Sequence, residues 1–134
     1  MADKRMLSKS IIDSDKFLSM PTSARMLYVD LAVRADDDGF ITPRRVMKVT
    51  GASDDDLRIL ISRRYLIPFN TGVVVITDWL YHNVIRKDLY HQTIYIKEKE
   101  LLKIPTSRKA ANLSYGLLPE RPDSEVQVLL EYIE

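Results

Sequence analysis

The run TPRRVMKVTGASDDDL, residues 42–57, leaves little freedom in local structure. Pro43 suits a first helical position, where its missing N–H would have no partner anyway, with Thr42 as the cap before it. Gly51 tolerates the left-handed conformation that stops a helix. Only two residues later Ser53 can cap the next one, and Asp56, three further on, nearly matches a capping box. Two helices joined by so short a glycine-containing turn must pack at a sharp angle.

The flanking residues extend this pattern. DSDKFLSM (13–20) predicts a short helix capped by Asp13 or Ser14 and ended by Pro21. TSARMLYVDLAVRA (22–35) predicts a longer one, capped by Thr22 or Ser23, with Leu27, Leu31 and Arg34 at helical spacing. Its apolar residues cover more than one stripe, which marks the central, best-buried helix. DDDGF (36–40) is a turn leading to a short extended piece at 39–41. The helix capped by Ser53 should run to about Tyr65. LIPFNTGVVVIT then reads as a β-hairpin with Gly72 at the left-handed position. The expected fold class is mainly α with a small β-hairpin (α+β), a winged helix-turn-helix with 39–41 as third strand. A generic small α+β domain offers the same elements.

Beyond the hairpin the pattern weakens. DWLYHNVIRKDLY is irregular or helical, and TIYIKEKELLKI is an amphipathic segment. Residues 105–124 have linker composition, and EVQVLLEYI is a short terminal helix or an arm that orders on a partner. The expected division is a winged domain over 1–96, followed by an amphipathic segment, a linker and an acidic tail over 97–134.

Composition excludes several function classes. No apolar run approaches the roughly 20 residues of a membrane span, and the charged N-terminus is no signal peptide. There are no cysteines and only two histidines, His82 and His91. No phosphate loop, nucleophile constellation or metal-spaced ligand set occurs, so neither an enzyme, a cofactor nor a metal is expected. Net charge is +1, but it is unevenly spread. Residues 82–110 carry seven Lys/Arg against three acids, whereas 119–134 carry five acids against one arginine. A basic body and an acidic tail are the result.

On the helix after Ser53, Leu57, Leu60 and Ile61, with Arg64 or Tyr65 next, form the core stripe. The opposite face holds Asp55, Arg58, Ile59, Ser62 and Arg63. Arginine is the favoured bidentate reader of guanine, so Arg58, Ser62 and Arg63 are the candidate base-contacting residues. Asp54, Asp55 and Asp56 complement the positive end of the helix dipole and keep that end away from phosphate; alternatively, one accepts from a cytosine amino group. Arg44, Arg45 and Lys48 on the preceding helix are candidates for the phosphate backbone, with solvated surface charge an equal alternative. Arg86 and Lys87, near Tyr90 and His91, are a third basic source. The uncharged hairpin tip leaves Asn70 and Thr71 at most a phosphate contact. Trp79 and Tyr81 suit a core or subunit contact.

The blocks KRMLSKSIIDSDKFLSMP, RADDDGFI, GASDDDL, RRYLIPF, GVVVITDW and HNVIRKDLY together resemble the N-terminal domain of phage and prophage replisome organisers from Gram-positive hosts. Those proteins are related in role to the DnaD-type primosomal proteins. The resemblance covers roughly residues 4–96. It implies a winged helix that binds double-stranded origin DNA in the bacterial cytoplasm, at the nucleoid. It also implies self-association and recruitment of the host replicative helicase or its loader. Family members carry a further C-terminal domain, which is missing after residue 96 unless the chain is a fragment. A protein-interaction scaffold and a transcriptional regulator are the alternative readings.

Overall fold

Helix α3 (Thr22–Arg34) carries the packing of the whole molecule. Ala24, Leu27, Tyr28, Leu31 and Ala32 are each at most 1% exposed, which two adjacent stripes facing neighbours on two sides require. The computed structural model describes residues 4–105 and 112–118. Around α3 it places α1 (Lys9–Ile12), α2 (Asp15–Leu18), β1 (Phe40–Ile41), α4 (Pro43–Thr50) and α5 (Asp54–Ser62). There follow β2 (Leu66–Pro68), β3 (Val74–Ile76), α6 (Trp79–His82), α7 (Ile96–Lys99), β4 (Leu102–Lys103) and β5 (Gly116–Leu117). The architecture is mixed α+β: seven helices and two small antiparallel sheets among the described residues.

The larger sheet has strand order β1-β3-β2, with Phe40 opposite Val75 and Ile67 opposite Val75 on the other side. The two-residue strand at 40–41 thus joins the hairpin as its third strand, as the pattern predicts. Phe40, Leu66, Val74, Val75 and Ile76 are all buried, and this sheet closes the core beneath α3 and α5.

Several expectations need correction. The helix expected over 13–20 is the single turn α2, capped by Ser14, which accepts from the Phe17 amide at 3.2 Å, and a further turn that was not expected, α1, precedes it. The cap of α3 is Pro21, and neither Thr22 nor Ser23 caps it; the Ser23 hydroxyl instead donates to Asp56 at 2.6 Å. Arg34 lies outside the apolar stripe, exposed and paired with Asp30 one turn back. Residues 112–118, expected as linker, pack onto the body: Leu113 and Tyr115 are buried and β5 pairs with β4. The polar composition hid the anchor, because Tyr115 is held by its hydroxyl, which donates to the Asp38 carbonyl at 3.0 Å. The expected terminal helix or arm at 125–133 lies outside the described residues.

The turn after α3 is dictated by Trp79. A side chain at Gly39 would meet the indole Cγ at 2.6 Å, and φ is +90° there. Glycine is needed on both counts. The indole is fully buried and its N–H donates to the Asp37 carbonyl at 2.9 Å.

The N-terminal segment straps across α6 and α3. The Met6 amide donates to the Asn83 side chain at 2.9 Å and the Ser8 amide to His82 Nδ1 at 2.8 Å. His82 Nε2 sits 2.6 Å from the Tyr28 hydroxyl. Since Nδ1 accepts, the ring is neutral with its hydrogen on Nε2. Burial holds the His82 pKa below the ordinary 6.5, with the charge of Asp78 pulling weakly the other way. Above pH 6.5 the ring is neutral folded or unfolded, and the strap is fully present. As pH falls below 6.5 the unfolded chain takes the proton first, so stability declines through the lower folded pKa. Urea unfolding across this range should show that decline in the wild type and a smaller one in His82→Gln. Equal declines would remove His82 from the strap's pH response.

Candidate nucleic-acid interface

The candidate face is built on α4 and α5. Gly51 stops α4 in the left-handed conformation at φ 78°, its N–H returning to the Met47 carbonyl at 2.8 Å. No atom lies within 4 Å of a side chain built there, so backbone conformation alone demands the glycine. Pro43, Val46 and Met47 face the core, leaving Arg44, Arg45 and Lys48 exposed. Thr42 occupies the cap position of α4 without a side-chain hydrogen bond. The nearest anion comes from across the turn, where the Arg44 guanidinium pairs with the Asp54 carboxylate.

Ser53 caps α5 with a complete capping box. Its hydroxyl accepts from the Asp56 amide at 3.2 Å, and the Asp56 carboxylate accepts from the Ser53 amide at 3.1 Å. Asp56 is buried, its other oxygen taken by Ser23 of α3. Burial pushes this carboxyl's pKa up, but the bonds from Ser23 and Ser53 outweigh it and hold the pKa below its usual value. The three aspartates therefore have three roles. Asp56 stitches α5 to α3, Asp54 pairs with Arg44, and Asp55 is exposed.

Along α5, Leu57, Leu60 and Ile61 are buried, while Arg58, Ser62 and Arg63 are exposed as expected. The helix ends earlier than about Tyr65. Ser62 is its last residue, and Arg64 takes φ +66°. The Tyr65 amide donates to the Leu60 carbonyl at 2.9 Å and the Arg64 amide to Ile61 at 3.0 Å. This pair of bonds closes a helix when the residue in Arg64's place is left-handed, a position glycine usually fills. The sequence offers no glycine there, so the stop was illegible. Tyr65 still reaches the core, buried at the start of the hairpin.

Two candidate readers are engaged within the molecule. Ser62 spends its hydroxyl hydrogen on the Ile59 carbonyl at 3.1 Å, which leaves its oxygen as an acceptor. Arg63 lies beyond the helix as its C-cap, and its guanidinium donates to Ser19 at 2.8 Å. Arg58 projects from the middle of the helix.

The third basic source stands apart from these helices. Arg86 and Lys87 are exposed on the irregular connection after α6, where Arg86 pairs with Asp88 at 2.9 Å. That connection is tied to the turn at residues 36–38. Asp38 accepts from Tyr90 and from the Thr93 amide, Asp37 from the His91 amide, and Asp36 from the Thr93 hydroxyl. At the hairpin tip the Thr71 hydroxyl donates to Glu98 of α7 at 2.7 Å. A phosphate approaching Thr71 would meet a carboxylate, so the limited role expected for that residue narrows further. Sequence reasoning missed Glu98, whose alternating-charge surroundings carry no sign of burial. Among the described residues no group of three or more His, Cys, Asp or Glu side chains could hold a metal ion.

Asp56→Ala should cost roughly 2 kcal/mol, combining a lost cap with an unpaired Ser23, while Asp54→Ala should stay within about 0.5 kcal/mol. Equal losses in denaturant unfolding would contradict the division of roles. Arg64→Gly should raise stability by roughly 0.5–1 kcal/mol, because relief of left-handed strain exceeds glycine's added unfolded-state freedom. An unchanged or lower midpoint would show the conformation to be unstrained. No protein-family model, curated protein or solved structure matches this chain, which leaves the geometry of this face as the ground for reading its function.

Proposed function

We propose that the chain is a winged helix-turn-helix DNA-binding module of phage or prophage replication initiation, binding double-stranded origin DNA. The observation that carries this reading is the joint arrangement of α4, α5 and the β1-β3-β2 sheet. Two helices across a three-residue turn, followed by a hairpin with a third strand from before the pair, is the element order of that fold class. In such a module α5 enters the major groove, and Arg58 with Ser62 faces base edges. Arg45 and Lys48 lie on the preceding helix, where phosphate contacts belong. The resemblance over residues 4–96 supplies the replication context. It also implies self-association, recruitment of a host helicase or its loader, and residence at the nucleoid. No helix among the described residues is long and apolar enough to cross a membrane, in keeping with this setting.

Two observations favour a second reading, a protein-interaction scaffold of the same fold. The hairpin tip carries no cation and is bound to Glu98, and Arg44 is paired with Asp54. Both features lower the local positive field. A transcriptional regulator would use the same face as the origin binder, and the location of its sites on the parent genome would separate the two.

Salt-titrated binding to duplex DNA tests the proposal. A module with several phosphate contacts loses affinity steeply as salt rises. Arg58→Ala should weaken a cognate site by roughly 1–3 kcal/mol and relax its sequence preference, whereas Lys48→Ala should weaken all sequences alike and reduce the salt slope by about one. A flat salt response would favour the scaffold. A steep response with unchanged affinity in Arg58→Ala would take α5 out of the reading role.

A further inference from the structure

A cleft of about 340 Å³ opens at the C-terminal end of α5, between the hairpin and β5. Ile61, Leu66 and Ile67 form one side, Gly116 and Leu117 the other, and among the described residues Arg64 is the one charged side chain lining it. Strand β2 is the outer strand of its sheet and β5 an outer strand of the other, so each offers an edge towards added chain. The volume falls in the ~300–1,000 Å³ range of built binding sites. None of the residues assigned to DNA contact above needs this cleft.

We infer that residues 125–133 of the same chain, EVQVLLEYI, dock in this cleft. Three observations converge on that occupant. The first is where the described chain leaves off: Leu118, whose amide donates to the Leu101 carbonyl at 2.9 Å, directly follows the cleft residue Leu117. The six residues PERPDS (119–124) extend to roughly 20 Å at ~3.3–3.6 Å each. That is ample for a cleft that starts one residue away. Tethering at such length gives an effective concentration of order mM, which a free partner would have to exceed.

The second is chemistry of the segment. Val126, Val128, Leu129, Leu130 and Ile133 make five of its nine residues aliphatic, matching an apolar wall. The third is charge. Residues 119–134 carry five acids against one arginine, and the cleft presents Arg64. Burying two or three aliphatic side chains while Glu125 or Glu131 meets the Arg64 guanidinium satisfies both requirements at once. The docked segment accounts for the acidic tail of a basic body as an internal ligand.

The chain has no cysteine, so a single one introduced at Glu134→Cys takes a nitroxide label uniquely. In the full-length ¹⁵N-labelled protein, the amide signals of Ile61, Leu66 and Ile67 should broaden strongly. Adding Leu129→Asp and Leu130→Asp keeps the tether but removes the anchors, and broadening should fall several-fold. Equal broadening in both proteins would mean that tethering alone brings the label near, and would overturn the proposal. Mixing ¹⁵N protein lacking the label with labelled ¹⁴N protein separates the source. Broadening in the mixture would assign the cleft to a second copy and overturn intramolecular docking; none is expected. No broadening in any sample would equally overturn it. DNA affinity is not read in any arm, so the outcome stands apart from the proposal of DNA binding.

Discussion

Three consecutive carboxylates hold this molecule together. Adjacent residues in a turn point in different directions, so Asp36, Asp37 and Asp38 all reach the connection at residues 90–93 while each also has contacts of its own. Asp36 accepts from the Phe40 and Asp38 amides and closes its own turn. Asp37 forms an ion pair with Arg5 at 3.0 Å, with side chains 0% and 3% exposed, and so fixes the N-terminal strap. Asp38 takes the Tyr90 hydroxyl, the Thr93 amide and Lys99, which fastens the long irregular connection. Removing one partner of such a buried pair costs about 3–5 kcal/mol, because the other charge is left without compensation. The hydrogen bonds are therefore less a source of net stability than a requirement imposed once the acids are buried. Burial and bonding leave different marks on the three: Asp36's pKa is raised, chiefly by burial, while the bonds from His91 and Arg5 bring Asp37's below the usual value despite burial.

From that turn the constraint passes to the helix pair. Asp36 positions Phe40, Phe40 opens β1, and β1 pairs with β3 to seat the hairpin. One residue past β1, Thr42 starts α4, so the angle at which α4 and α5 meet solvent is referred back to residues 36–38. The second triplet, Asp54 to Asp56, uses the same composition for another end. There the helix N-terminus supplies the positive partner, and only Asp56 is buried.

The difference between legible and illegible features follows from range. Pro43, Gly51, Ser53 and Asp56 act on neighbours within four residues, so the helix–turn–helix spacing could be read from one line of text. The hairpin was equally local, with Gly72 and an apolar run on either side. Leu57, Leu60 and Ile61 were legible through period alone. What failed depends on distant partners or on a backbone conformation that the residue type argues against. The inward return of residues 112–118 rests on a tyrosine hydroxyl reaching Asp38, and nothing near Tyr115 announces it. The early stop of α5 rests on Arg64 accepting a glycine conformation, which composition argues against. Arg63 looked like part of the α5 face, and its place beyond the helix follows from that same stop.

The exposed cations also differ in what they would give up to meet a polyanion. The Arg44–Asp54 pair is mostly exposed, with side chains 63% and 70% accessible, and pairs of that kind contribute little in water. Exchanging Asp54 for a phosphate therefore costs little, and the counterions released from the nucleic acid favour the exchange. Thr71 is in the opposite position. Its partner Glu98 is only 9% exposed, and a carboxylate deprived of its donor in that setting loses far more than a surface ion does. The Arg44–Asp54 pair is thus able to trade ionic partners, whereas the hairpin tip is committed to its own chain. A groove-binding mode that relied on the tip would have to break the Thr71–Glu98 contact first.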